Sequence, residues 1–262
     1  MASKQTMEGK VAIVSGSARG IGAATCVELA SRGALVIVNY PWPSQQVDAE
    51  KVLETIKLSG AIAADQCRAI EADMSTLGGP QQLINEAVRL VGRPIDILVN
   101  NAGIAIMRPL KDITLDQWDM QIDLNVRGMV LLTQAVLPHL AQNSRIVNLS
   151  SVGARQGFPG STVYSGTKSM IESFTRCWAL ELGPKYHCTV NAVEPGPTNT
   201  AGFTQSGPNF LENIQPLLEA TPMGPRMAEP SEIAYAIAFL CEERSGWITG
   251  ACLPVNGGFS MP

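Results

Sequence analysis

Seven short runs of β-branched and aliphatic residues recur along the chain, at 10–16, 34–40, 67–74, 94–103, 144–151, 187–196 and 251–258. KVAIVSG, ALVIVNY and PIDILVNNAG do not alternate apolar with polar positions. Strands of that kind are covered on both faces. Between them lie stretches with helical spacing: 18–33, 47–60, 79–92, the pair 115–129 and 130–142, then 162–183 and 229–243. The last of these is capped by Ser231 or entered through Pro230. Strand, helix, strand, repeated, needs crossover connections, so the sheet is parallel and lies between two helical layers. No repeat or low-complexity tract divides the 262 residues, and the chain reads as one α/β domain. With 45% apolar residues it can fill a core of that size.

The bulk numbers exclude several classes of function. Net charge is −4 and no run of Lys or Arg stands out, so no nucleic-acid partner is expected. No segment reaches about 18 uninterrupted apolar residues, so no membrane span is expected. MASKQTMEGK is polar, without an apolar leader core, and the expectation is a soluble cytoplasmic protein. Six cysteines (Cys26, Cys67, Cys177, Cys188, Cys241 and Cys252) form no C-x-x-C and are expected as buried free thiols. His139 and His187 are the only histidines, so neither a histidine triad nor a metal site is expected.

SGSARGIG (15–22) joins the first strand to the first helix, with Gly16, Gly20 and Gly22 spaced G-x-x-x-G-x-G around Arg19 and Ile21. Residues without a Cβ let backbone approach a pyrophosphate at a helix N-terminus, where free N–H groups and the helix dipole favour an anion. A glycine turn also serves plain helix–strand packing. Its place after the first strand favours dinucleotide binding. The second strand ends in Asn39-Tyr40-Pro41-Trp42-Pro43-Ser44, and the first acid after it is Asp48. A carboxylate at the strand end would repel a 2′-phosphate, so its absence favours NADP(H) over NAD(H). Arg19 would supply positive charge, and Asn39, Tyr40 and Ser44 hydrogen bonds. The other reading is that Pro41-Trp42-Pro43 only stiffens a surface loop.

STVYSGTK (161–168) opens the sixth helical stretch and puts Tyr164 four residues before Lys168. Alone, Y-x-x-x-K is a common exposed turn. Reducing a ketone, however, needs hydride at carbon and a proton at oxygen, and a free phenol with pKa near ~10 is a poor acid/base at neutral pH. An ammonium within about 4–6 Å lowers that pKa, and positions i and i+4 share a helix face. Ser151 lies thirteen residues before Tyr164 at the end of the fifth strand, where its hydroxyl can hold a substrate oxygen; Ser150 competes for the role.

SGSARGIG, Asp73, NNAG (100–103), Asn125, Ser151, YSGTK (164–168) and PGPTNT (195–200) occur in that order, and from about residue 8 to 258 the chain resembles the short-chain dehydrogenase/reductase family. The Asn-Tyr after the second strand is similar to NADPH-preferring members, including fungal reductases of polyphenolic ketones. The resemblance implies a single Rossmann-type, doubly wound domain with a sheet of about seven strands. It implies that Asp73, with Met74 beside it, bonds the adenine and that Asn101, Ala102 and Gly103 line the ribose. Pro195, Gly196, Thr198 and Thr200 would hold the nicotinamide end. Lys168 would also bind the ribose hydroxyls, and Asn125 would anchor a water in a proton relay; a helix kink is the alternative reading of Asn125. Family members pair the helices corresponding to 115–141 and 162–183 across a two-fold axis, which implies a homodimer or homotetramer, with the tail VNGGFSMP in a second interface. Three positions depart from the pattern: Ser15 for the usual Thr, Glu194 before Pro195-Gly196, and the bulky Trp42.

Segment 197–229, with five Pro and three Gly, is too long for a plain connection and is expected to form a substrate lid. Phe203, Phe210, Leu211, Leu217, Leu218 and Met223, with Phe158, Pro159 and Met107, suit a mainly apolar small molecule, aromatic ones included. Arg108, Arg155 and Arg226 either meet a substrate anion or are solvated. The expected function is that of an NADP(H)-dependent oxidoreductase acting on a carbonyl or the matching alcohol. The rivals are a regulator or scaffold that binds cofactor without turnover, and an imine reductase using the same site.

Overall fold

The unalternated Val/Ile runs become the strands of one sheet. A computed structural model describes residues 5–204 and 210–261. In chain order the elements are β1 (Val11–Val14), α1 (Gly20–Ser31), β2 (Leu35–Tyr40), α2 (Gln46–Leu58), β3 (Arg68–Glu71), α3 (Gly79–Val91), β4 (Ile95–Asn100) and α4 (Leu115–Ile122). They continue with α5 (Met129–Val136), β5 (Leu140–Leu149), α6 (Thr162–Tyr186), β6 (Thr189–Pro195), α7 (Ala201–Thr204), α8 (Phe210–Glu219), α9 (Pro230–Cys241) and β7 (Cys252–Val255). Among the described residues the seven strands form one sheet in the order β3-β2-β1-β4-β5-β6-β7, and every neighbouring pair is parallel. The expected doubly wound α/β fold is therefore present.

Helices cover both faces. On one, α1, α2 and α9 pack residues such as Cys26, Leu29, Ile56, Ile233 and Ile237 against Ala12, Val14, Val36 and Val38. On the other, α3, α5 and α6 pack Leu83, Ile84, Leu132 and Leu182 against Val11, Ile13, Leu98 and Ile146. Alternate residues of a single strand thus enter opposite cores, which is why no polar alternation was visible in the sequence. Among the described residues no helix is long and apolar enough to cross a membrane.

Two expectations about the middle of the chain are corrected. The stretches 115–129 and 130–142 were read as separate helices, but α4 runs into α5 through a π-helical turn at Asp123–Gly128. The second helix also ends early. Pro138, which lacks an N–H, sits in a 3₁₀ turn at Leu137–His139, and β5 starts at Leu140 rather than 144. The last helix enters through Pro230, and its capping box is formed by Glu229 and Glu232, not Ser231. Of the cysteines, Cys177 is exposed and Cys252 half-buried; the other four are buried, and all are free.

The ends of segment 197–229 are pinned to each other. Thr198 and Ala228 form a β-bridge, with Ala228 N donating to Pro197 O (2.9 Å) and Asn199 N to Ala228 O (2.8 Å). Ile214 and Leu218 of α8 bury against Met227, a small core inside the segment itself. The side chains of Phe203, Phe210 and Leu211 lie outside the described residues.

Candidate active site

The sheet order reverses between β1 and β4: β2 and β3 extend one way, β5 to β7 the other. In an open parallel sheet the crevice at such a switch, at the carboxyl ends of the strands, is the natural ligand site. The glycine turn lies there. Gly16 and Gly20 have φ of 59° and 56°. A Cβ on Gly16 would sit 2.8 Å from the Ala102 Cα, and one on Gly22 would sit 2.5 Å from Asn101 Nδ2 and 2.7 Å from the Ser17 Cα. Only glycine fits this cradle. Arg19 is the N-cap of α1 and offers no side-chain bond to its first amides, which leaves those N–H groups to an anion.

Ser15 ties the turn to NNAG. Its Oγ accepts from Asn101 N (3.0 Å) and Ala102 N (3.1 Å), while Asn101 Nδ2 donates to the carbonyls of Ser15 and Gly16, both at 2.9 Å. The hydroxyl expected at this position is used. Asp73 caps its own turn, accepting from Ser75 N (2.9 Å) and Ser75 Oγ (2.8 Å), and Met74 is buried beside it. Gly196 packs on Asn256, with a Cβ there 3.1 Å from the Asn256 Cα. Thr198 Oγ1 donates to Gly196 O at 2.9 Å. Thr200 reaches back to the glycine turn, its Cγ2 3.1 Å from where a Gly20 Cβ would stand. Thr200 thus meets the glycine turn at Gly20, while Gly196 and Thr198 are tied to each other and to Asn256 and Ala228.

At the end of β2, Asn39 takes a role other than the one expected. Asn39 is wholly buried. Its Oδ1 accepts from Gly16 N (2.9 Å), and its Nδ2 faces Ala72 O (3.0 Å) and Ile70 O (3.3 Å). It shapes the glycine turn from inside and is not placed to meet a 2′-phosphate. Tyr40 is mostly buried, and burial, then Glu71 and Glu50, raise its phenol pKa. Ser44 is exposed in a short 3₁₀ turn. Arg19 is exposed but not unpaired: its Nε donates to Asp48 Oδ2 at 2.7 Å, and the guanidinium holds the Asp48 carboxyl below the usual range.

At the end of β5, Ser151 and Tyr164 face each other. A Cβ on Gly153 would lie 3.5 Å from Ser151 Oγ and 3.6 Å from Tyr164 Cε1, so both border one small space. Burial raises the Tyr164 pKa, and a hydrogen bond from the Ser151 side pulls it back down. Lys168 is buried; its Nζ donates to Leu149 O at 2.7 Å and lies 5.7 Å from the Tyr164 ring centroid. Burial lowers its pKa to about 8. The expected lowering of the phenol by the ammonium is therefore not the dominant effect. Desolvation acts on both groups, disfavouring the charged form of each.

Asn125 lies in the π-helical turn and is buried. Its Oδ1 accepts from Ile104 N and its Nδ2 donates to Ile104 O, both at 2.8 Å. Nδ2 also meets Thr167 Oγ1 on α6 at 3.1 Å. A Cβ on Gly103 would be 3.2 Å from Asn125 Oδ1 and 3.6 Å from Lys168 Nζ, so Asn125 and Lys168 border the same spot.

Two of the three candidate substrate arginines are paired with carboxylates of the protein. Arg155 pairs with Glu172 (2.7 Å) and Glu194 (3.4 Å), and Arg226 with Glu232 (2.7 Å). Arg108 donates to Met107 O. Phe158 stacks on Phe259, ring centroids 6.1 Å apart, so the tail packs on its own chain. Leu218 is buried in the small core of its own segment, whereas Met107 and Met223 are exposed. Sequence reasoning missed Asp48 as the partner of Arg19 and Glu172 as a buried carboxylate behind Ser151. The second was visible as one more polar step, 164, 168, 172, along one helix face.

The chain belongs to the short-chain dehydrogenase/reductase family, as an oxidoreductase. The family model described as enoyl-(acyl carrier protein) reductase matches residues 16–260. The chain is 42% identical over 252 residues to the short-chain dehydrogenase/reductase FrzI of Cladobotryum sp, covering 95% of each. It is 36% identical over 268 residues to elsinochrome reductase 1 of Elsinoe fawcettii, covering 99% of this chain and 97% of that one. Among solved structures it is similar to a blue fluorescent protein from a metagenomic library in complex with NADPH, with a TM-score of 0.88, 34% identity, and coverage of 98% and 100%.

Proposed function

We propose that the chain is an NADP(H)-dependent reductase of the carbonyl group in a mainly apolar small molecule, aromatic ketones included, or the oxidant of the matching alcohol. The observation that carries this is the facing of Ser151 and Tyr164 around one small space at the switch-point crevice. A nicotinamide dinucleotide held along the glycine turn supplies or accepts the hydride. The cradle fits it: Gly16, Gly20, Ile21 and Gly22 would present backbone to the pyrophosphate, and Asp73, Met74, Asn101, Ala102 and Gly103 would hold the adenosine side. Pro195, Gly196, Thr198 and Thr200 would border the nicotinamide end. Arg19 is paired with Asp48, so the support for the 2′-phosphorylated form is that the end of β2 itself carries no acid, together with a relative of similar structure that holds NADPH.

The chain's own groups then handle the proton. Burial keeps the Tyr164 phenol protonated at neutral pH, so it is a proton donor to a carbonyl oxygen and, in the reverse direction, a base once ionised. Ser151 holds the same oxygen and steadies the charge that grows on it. Lys168, mostly protonated at neutral pH with its value at about 8, places a positive charge beside the phenol and favours its ionised form as it arises.

Nicotinamide absorbance tests this, with NADPH or NADH, across apolar ketones, quinones, imines and α,β-unsaturated thioesters. We expect turnover of ketones or quinones with NADPH, falling about 100- to 10,000-fold in Tyr164→Phe. Turnover confined to imines or to the thioester double bond would replace the carbonyl assignment. Equal rates in wild type and Tyr164→Phe would remove the phenol from the chemistry.

A further inference from the structure

Three residues outside the proton-transfer set form an ionic cluster directly behind Ser151, two buried carboxylates and a half-exposed arginine. Glu172 on α6 and Glu194 on β6 are almost fully buried, with side chains 5% and 3% exposed, and both meet Arg155. Glu172 divides its two oxygens. Oε1 accepts from Ser150 Oγ at 3.1 Å, and Oε2 pairs with Arg155 Nε at 2.7 Å. Ser150 is the residue before Ser151, and Arg155 closes the short turn at Val152–Ala154 that follows it. On the same helix Ser169 Oγ donates to Ala154 O at 3.0 Å.

We infer that Glu172 is the positioning residue for Ser151: its single carboxylate grips the chain on both sides of that serine and fixes where the hydroxyl stands relative to Tyr164. Tyr164, Lys168 and Glu172 follow each other at four-residue steps on α6, so the helix that carries the phenol also carries the clamp. The 150–155 turn is held locally by Ser150 N on Val193 O (2.9 Å), by its own 3₁₀ turn and by the bond that Ser151 Oγ accepts from Gly153 N (3.1 Å); Glu172 adds the side-chain ties that join this turn to α6. A carboxylate fixed by an arginine and a hydroxyl is a stiff tether, because each charge-assisted bond is directional. Arg155 in turn is anchored by Glu194, so the turn is tied to β6 as well as to α6. Burying two carboxylates against one guanidinium is costly unless a proton is shared, and burial and the neighbouring Glu172 do raise the Glu194 pKa.

This inference rests on the carbonyl-reductase reading, so its test includes a readout that needs no turnover. In protein without added ligand, the ring-carbon NMR resonance of isotope-labelled Tyr164, assigned with Tyr164→Phe, reports the hydrogen bond between the phenol and Ser151. Glu172→Gln, which keeps an acceptor for Ser150 but loses the ion pair, should move that resonance toward its position in Ser151→Ala. Turnover should show a drop in kcat of about ten- to a hundredfold with unchanged NADPH affinity, and none further when Glu172→Gln is added to Ser151→Ala. Should Glu172→Gln not fold, Arg155→Lys, at a half-exposed position, breaks the same fork and carries the same expectations. An unmoved Tyr164 resonance in a folded variant overturns the inference. Absence of turnover in wild type sinks the carbonyl-reductase reading instead, and the NMR shift still decides the tether.

Discussion

Lys168 is a cation in a dry place. Its pKa falls from about 10.5 to about 8, through burial, which corresponds to on the order of 3 kcal/mol of destabilisation while the group is charged. Between those two values the unfolded chain binds more protons than the folded one, so this contribution makes stability rise with pH across that window. Lys168→Met should therefore stabilise the protein at neutral pH. The bond from its charged Nζ to Leu149 O is lost in exchange, which offsets about 1.5–3 kcal/mol and leaves a net gain of at most about 1.5 kcal/mol. The gain should shrink as pH approaches 10.5. Urea unfolding of both proteins at pH 7 and near pH 10 checks it; an equal gain at both would mean that Lys168 is not held with a lowered pKa. At this scale the sequence was informative where spacing along one helix or one turn carries the chemistry. Tyr164, Lys168 and the glycines were legible for that reason. Asn39, Arg155 and Arg19 were not, because their partners (Gly16, Glu172 with Glu194, and Asp48) come from other elements, and a side chain's role follows from its partner.

Between residue and fold, the π-helical turn at Asp123–Gly128 is the element that the sequence hid. Helical periodicity on both sides of it was clear, but one extra residue in a turn shifts the phase, and a phase shift looks like a break between two helices. The turn brings Asn125 inward to bond both backbone groups of Ile104, and through Thr167 to reach α6. Both readings left open for Asn125 meet here, since it lies in a distorted turn and also borders Lys168. Asn125→Ala takes the partner from the half-buried amide and carbonyl of Ile104 and should cost about 1–3 kcal/mol. Thermal unfolding would show this as a clear fall in Tm. An unchanged Tm would mean that the loop after β4 holds its place without the clamp. Other boundaries moved by a few residues only, and Pro138 accounts for the largest shift, the early start of β5.

For the molecule as a whole, the alternation of strand and helix was enough to specify a parallel sheet covered on both faces, and the glycine turn after the first strand located its switch point. Surface hydrophobics are what a single chain leaves unexplained: Leu115, Trp118 and Met120 on α4 and Met170 and Leu180 on α6 are exposed. Covering them with another copy of the chain is the expected outcome, and light scattering at micromolar concentration should return the mass of a dimer or tetramer. A monomer would contradict it. The helix α6 runs unbroken from Thr162 to Tyr186, carrying the phenol, the lysine and the Glu172 clamp in its first half and exposed Leu180 in its second. If that outer half is seated on a neighbouring copy, mass action enters the kinetics. Turnover per chain should fall as the protein is diluted below the dissociation constant of the assembly, and should return on concentrating it.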